Sequence, residues 1–243
     1  MERQRYRSTL SLAGINIAFE YSHLKTAMRC REYLTKDKEY KVFIKIEDAD
    51  IALEKSLYNR TDEAYTEDYY ESQALLRKIA ESLIDFDTIL MHGAVVSDGK
   101  YAYMFTANSG TGKSTHVHKW VENLSSARII NGDKPLVRII GNAAFACGTP
   151  WCGKERENIN TMVPLKAIVV MERNEFNQII NCQFSDILPI LINQTHRPTG
   201  AVELLKTMSV LEQLSDKVSF YKFYFNNMKD DCFQVAYDAL HRS

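Results

Sequence analysis

Apolar and polar positions alternate with two different periods along this chain, and the change of period marks its elements. Residues 9–21 (TLSLAGINIAFEY) and 41–46 (KVFIKI) are strand-like, the second setting Val42, Ile44 and Ile46 against Phe43 and Lys45. Residues 66–86 shift to helical spacing. Leu75, Leu76, Ile79 and Leu83 form one stripe behind the opening turn Thr66-Glu67-Asp68. That stripe reads as core.

From about Thr88 the texture changes. Residues 88–96 (TILMHGAVV) and 101–107 (YAYMFTA) read as two strands around Ser97-Asp98-Gly99-Lys100, where Asp-Gly favours a tight hairpin. A glycine-rich loop follows directly, then a helix over 113–124. Short strands are expected at 127–131, 136–140 and 144–148, with Gly141-Asn142 turning the last two. Residues 165–173 (LKAIVVMER) read as a strand buried on both faces. Helical patterns at 184–195, 199–214 and 230–242 surround a strand at 218–225. The expected fold class is α/β (mixed α+β), a mixed sheet with packed helices. Residues 1–85 are expected to form an N-terminal α/β portion, and 86–243 a second domain.

Composition narrows the function little. At 243 residues, with 45% hydrophobic and 25% charged residues, the chain is ordinary for a globular protein. Its 30 basic and 31 acidic residues nearly cancel, so no charge excess points to nucleic acid or a membrane surface. Five scattered cysteines form no C-x-x-C pair, which disfavours zinc and fits free thiols in a reducing, cytoplasmic setting. No run approaches the roughly 18 apolar residues that span a bilayer. Oligomeric state stays open.

The chemistry lies in residues 105–116, FTANSGTGKSTH. Phosphate loops turn successive backbone N–H groups into one concavity at a helix N-terminus, whose dipole favours anions. Gly110 and Gly112 supply the permissive positions, Lys113 an ammonium for the β/γ-phosphates, and Ser114 a hydroxyl for Mg²⁺. Asn108, Ser109, Thr111 and Thr115 complete the expected nucleotide-binding stretch. A bare G-K-[ST] arises by chance in roughly one chain in ten of this length, and adding Gly110 takes that to about one in a hundred. Ala107 replaces the first glycine of G-x-x-x-x-G-K-[ST], and alanine fits there if φ is negative. The order in N-G-D-K does not match the base-reading N-K-x-D of GTPases.

Beyond the loop, His92-Gly93 lies on the strand ahead of it, an acidic segment (IINGDKPLV) follows its helix, and VPLKAIVVME leads into the apolar strand. With A-N-S-G-T-G-K-S-T, these resemble the kinase domain of the HPr kinase/phosphorylase family and the wider phosphoenolpyruvate-carboxykinase-like nucleotide-binding superfamily. The resemblance covers about residues 88–175, a third of the chain. It implies a carboxykinase-like nucleotide-binding core, ATP and Mg²⁺, and transfer of a phosphoryl group to a hydroxyl on a peptide, a protein or a small molecule. Asp133 is then the candidate base or metal contact, and Ser114 and Asp133 the candidate metal ligands. His92 could move a proton or contact phosphate, or simply be a core residue.

Departures are plain. Gly132 stands where the family usually has the first of two adjacent aspartates, Thr115 where an acidic residue often follows the loop, and the C-terminal arginine-rich signature of true HPr kinases is missing. HPr itself is therefore disfavoured as acceptor. Gly148 to Glu155 looks more like HPr-kinase-related proteins found beside peptide-modification genes. In the overlapping stretch 151–157 (WCGKERE), Lys154 and Arg156 could cover the γ-phosphate, Arg156 as a charge clamp, or sit in an exposed charged loop, and Trp151 could stack on a ligand or merely pack. Arg197 is a weaker candidate for substrate contact. His116 and His118 read as ordinary helix positions. The competing expectation is a non-catalytic ATP-binding module.

Overall fold

The computed structural model describes residues 4–58 and 65–242, and the chain divides into two units, Met1–Leu83 and Ile84–Ser243. In the first, β1 (Tyr6–Leu12) and β2 (Ile15–Tyr21) pair antiparallel. They are joined by Ala13 and Gly14 at φ 50° and 73°, so both turn residues are left-handed, as a two-residue hairpin requires. Helix α1 (Leu24–Arg29) follows, then β3 (Val42–Lys45), which adds parallel to β2. Helices α2 (Asp48–Tyr58) and α3 (Glu67–Leu83) complete the unit. Glu71 is fully buried on α3. Its carboxylate accepts the Ser22 and His23 amides (2.6 and 3.0 Å) and the Thr26 hydroxyl (2.6 Å), capping the start of α1.

The second unit opens with β4 (Thr88–Leu90), β5 (Ala94–Ser97), β6 (Ala102–Thr106) and helix α4 (Lys113–Asn123). Then come β7 (Arg128–Asn131), β8 (Leu136–Ile140), β9 (Ala143–Cys147), the long β10 (Met162–Arg173) and β11 (Gln178–Asn181). Helices α5 (Phe184–Gln194) and α6 (Ala201–Leu214), β12 (Ser219–Phe225) and α7 (Cys232–His241) close it. These form a mixed α/β fold on one nine-stranded sheet, with seven helices among the described residues of the chain.

Strand β10 holds the sheet together. Its first residues, Met162–Pro164, pair antiparallel with β9, while later ones run parallel to β6 on one side and β12 on the other. Its apolar run is buried on both faces. Ile168 and Val170 join a core with Ile187, Leu191 and Leu214 of α5 and α6. Ala167, Val169 and Met171 join a second with Trp120 of α4 and Ala236 of α7. Helices thus cover both faces of the sheet.

One expectation fails in an informative way. Residues 88–96 are not one strand: β4 pairs with β8, and β5 with β6 and β7. Between them the chain crosses from one wing of the sheet to the other through Met91-His92-Gly93. The crossing is tight, since a Cβ on Gly93 would lie 3.0 Å from the Phe105 carbonyl oxygen and 2.6 Å from the Met104 Cε. His92 is therefore exempt from strand pairing and sits beside the end of β6.

Candidate active site

β6 is buried along its whole length and delivers the chain into the glycine loop at a fixed point. Gly110 and Gly112 adopt φ 74° and 120°, conformations in which an L side chain is strained. At Gly112 the surroundings also forbid one, because a Cβ would meet the Asn227 Nδ2 at 2.8 Å and the Phe225 ring at 3.3 Å. Ala107 stays out of the left-handed region, which only Ala13, Asp87 and Arg156 enter among the described non-glycine residues. The missing first glycine thus costs the loop nothing in backbone strain.

Helix α4 starts at Lys113, so the first amides of that helix, Lys113 to Thr115, have no acceptor within it. Lys113 folds back over the loop, donating to the carbonyls of Ala107 (2.9 Å) and Asn108 (3.2 Å). Burial pushes its pKa below the usual lysine value, with Lys134 adding to the depression and Asp133 opposing it. Asn108, Ser109 and Gly110 are exposed at the loop tip, Ser114 is half-buried, and Thr115 faces solvent. Arg173, at the end of β10, braces the loop by donating to the Gly110 (2.6 Å) and Thr111 (3.0 Å) carbonyls.

Across from this loop lie His92 and Asp133. The His92 Nε2 is 3.3 Å from the Asp133 Oδ1, and its Nδ1 is 2.7 Å from the Gln194 Oε1. Backbone bonds hold the pair. Gly93 N–H donates to the Asp133 carbonyl (3.0 Å), His92 N–H to the Gln194 carbonyl (2.6 Å), and the buried Thr106 hydroxyl to the His92 carbonyl (2.8 Å). Burial lowers the His92 pKa, helped by the cations of Lys113 and Lys134. Asp133 and the Gln194 contact pull it the other way. A neutral imidazole facing two acceptors has one proton for two contacts, the arrangement of a group able to receive another.

Asp133 itself is aimed by a buried turn. The Asn131 side chain, fully buried, accepts the amides of Asp133 (2.9 Å) and Lys134 (2.7 Å). It donates to the Thr149 carbonyl (3.0 Å) and hydroxyl (3.1 Å). Replacing Asn131 with alanine should strip four bonds from a buried site and cost on the order of 2 kcal/mol or more. A thermal melt of N131A should show the loss as a fall in Tm.

The departure at Gly132 has a steric cause. A Cβ there would stand 2.8 Å from the Cys152 carbonyl oxygen, so the packed 148–153 segment excludes a second aspartate. The same segment brings Gly153 against Asp133, 3.3 Å from its Cβ to the one a side chain would add. Arg156 follows on an exposed turn at φ 58° and makes no ion pair or hydrogen bond with the described residues. The turn is tied to α4 by His118, whose Nε2 lies 3.0 Å from Glu157 and 3.8 Å from Glu155. Trp151 is buried and packs. Arg197 is exposed on the segment after Thr195, which bridges to Met91.

His116 proves to be more than an ordinary helix position. It is fully buried behind the loop between the rings of Phe105 and Phe223. Burial, with a smaller push from Lys119, drives its pKa down from 6.5 to about 3. As pH falls below 6.5 the unfolded chain takes this proton and the folded one refuses it, so stability drops towards pH 3 by up to about 1.4 kcal/mol per unit. Denaturant unfolding between pH 7 and 4 should show a shallower acid loss for H116Q than for the wild-type chain.

All five cysteines are free. Among the described residues no helix is long and apolar enough to cross a membrane. No family model matches the chain, and no curated protein sequence matches it. Among solved structures, the HPr(Ser) kinase/phosphatase from Coxiella burnetii matches at 8% identity with a TM-score of 0.37, over 63% of this chain and 97% of that one.

Proposed function

We propose that this chain is an ATP-dependent kinase that transfers the γ-phosphoryl group to a hydroxyl on a peptide, a protein or a small molecule. One observation carries the reading. Lys113 on the glycine loop, Asp133 after β7 and His92 on the crossover act electrostatically on one another at the end of β6. That set combines an anion cradle with a carboxylate and a proton-accepting partner, which is what phosphoryl transfer to a hydroxyl needs.

The residues fit the groups required. A Cβ placed on Gly110 would meet nothing within 4 Å, so the loop is open on that side. Lys113 rests on loop carbonyls that it can leave for phosphate oxygens, as the start of α4 offers its amides to the same charge. Ser114 would hold Mg²⁺, which when bound neutralises charge on the β- and γ-phosphates, and Asp133 is left to act as the base. Asp133 accepts the proton of the acceptor hydroxyl as its oxygen bonds the γ-phosphorus, and the bond to the departing ADP breaks. His92 beside it stabilises the protonated carboxyl or takes the proton on. Lys134 adds positive charge, and Arg156 on its exposed turn is free to reach a bound γ-phosphate. Five free thiols accord with work in a reducing, cytoplasmic setting.

A lone Asp133 at a position where steric contact excludes a second carboxylate favours one other reading, an ATP-binding regulatory module without turnover. Labelled ATP-Mg²⁺ incubated with the protein and with extracts or candidate peptides separates the two. A kinase labels an acceptor, and K113A and D133N abolish that labelling. Labelling that survives both changes sinks the assignment, and saturable binding without any labelling selects the module.

A further inference from the structure

The glycine loop ends at Gly112, and the peptide linking it to Lys113 is planar and trans, so its C=O and N–H point in opposite directions. Whatever holds the Gly112 carbonyl therefore also aims the Lys113 N–H, one of the amides offered to phosphate. Two groups hold that carbonyl: the His116 amide (3.1 Å), as the first bond of α4, and the Asn227 Nδ2 (3.3 Å). Behind Asn227 lies a buried chain of polar contacts that ends in the aromatic core.

Its direction can be read without ambiguity. The indole N–H of Trp120 only donates, and it faces the His116 Nε2 at 3.2 Å, so that nitrogen accepts and is unprotonated. The imidazole proton then sits on Nδ1, which faces the Cys232 Sγ at 3.5 Å. Having accepted that bond, the thiol turns its own proton to the Asn227 Oδ1 at 3.4 Å. Burial keeps Cys232 a thiol, its pKa raised to about 11. The amide oxygen of Asn227 being taken, its Nδ2 is fixed as the group that donates to Gly112. Trp120, His116 and Cys232 are fully buried, so water does not compete for the contacts among them, while Asn227 is half-buried at the loop end of the chain.

We propose that Trp120, His116, Cys232 and Asn227 form a one-way hydrogen-bond relay that positions the Gly112–Lys113 peptide, and so tunes the affinity of the glycine loop for phosphate. The inference rests on reading this loop as a phosphate site, and goes beyond it by assigning a positioning role to the start of α7 and the residues before it. Helix α7 suits the role because its far end is also pinned: the His241 Nε2 lies 3.0 Å from the Asp98 carboxylate on the β5–β6 turn. A shift of α7 along its axis is resisted at one end and would reach the loop at the other.

The test compares C232S, C232A and N227A with the wild-type chain, using calorimetric titration of inorganic pyrophosphate and of ATP-Mg²⁺. Serine keeps one donor and one acceptor, whereas alanine breaks the relay. The proposal predicts C232S within about twofold of wild type, and C232A and N227A weaker by about threefold to tenfold. Trp120 supplies a second readout, since its indole N–H resonance should move in C232A and stay near its wild-type position in C232S. A role in packing alone predicts the opposite order, because at the buried position 232 an unsatisfied hydroxyl is worse than a methyl. Wild-type binding matched by C232A overturns the relay and leaves the phosphate-loop reading intact. A wild-type chain that binds neither ligand overturns that reading, and the relay's role with it.

Discussion

Replacing Lys113 with methionine is expected to weaken ATP-Mg²⁺ binding by at least about a hundredfold, given the strength of charge-assisted contacts to phosphate. The folded protein should meanwhile become no less stable. Lys113 is almost wholly buried, and desolvation holds its pKa below the ordinary lysine value. A base whose folded pKa lies below its unfolded one costs stability wherever both states are protonated. At neutral pH the folded chain bears that cost, because among the described residues the partners of the ammonium group are neutral carbonyls and, at longer range, the carboxylate of Asp133. Methionine fills similar space without charge. Melting curves of K113M should therefore show a Tm equal to or above that of the wild type, and no upward shift on adding ATP-Mg²⁺. A fall in Tm would mean that the lysine is held for structure.

Asp133→Asn should split binding from chemistry. Asparagine has nearly the same shape, and the Gly93 amide bonds the backbone carbonyl of residue 133, not its side chain. The position of the turn should thus survive. What disappears is the negative charge and the ability to accept a proton, a loss in the range of about 10²- to 10⁴-fold in phosphoryl transfer. ATP affinity should stay within a few fold, so the effect falls on kcat rather than KM. The same substitution has a spectroscopic signature. Asp133 is one of the two influences that raise the His92 pKa against burial and the lysines. Without it the His92 titration, followed by NMR, should move to lower pH.

The parts of this fold that were legible in the sequence were those with local causes. The two-face burial of β10 follows from its unbroken apolar run, and the Asp98-Gly99 hairpin from turn chemistry that Asp98 itself completes by accepting the Lys100 and Tyr101 amides at 2.7 Å. The glycine loop shows in the spacing of Gly110, Gly112, Lys113 and Ser114 because a phosphate nest is made by consecutive residues. Helices α1 and α2 were not legible. The first is six residues long, and its start is capped by Glu71 from α3, a residue far along the chain.

The same division runs through the candidate site. His92, Asp133 and the loop stood out as residue types, but nothing local showed that the strand breaks at His92 to bring it beside Asp133. Gln194, Thr149, Arg173 and Asn227 act through partners distant in sequence, and no spacing rule would have singled them out. Asn131 is the exception. An asparagine two residues before an aspartate in a turn is a recognisable Asx signal, and its side chain does accept the following amides. Gly132 shows the reverse case: the glycine stands out in the sequence, but its steric reason lies in the carbonyl of Cys152, twenty residues on.

The central claim is that the loop from Ala107 to Ser114 holds the phosphates of a nucleotide through Lys113. Calorimetric titration of ATP-Mg²⁺ into the wild-type chain, D133N and K113M tests it most directly. The account predicts saturable one-site binding to the wild type and D133N, and none measurable to K113M at the same concentrations. Equal binding by all three proteins, or none by any, would contradict it.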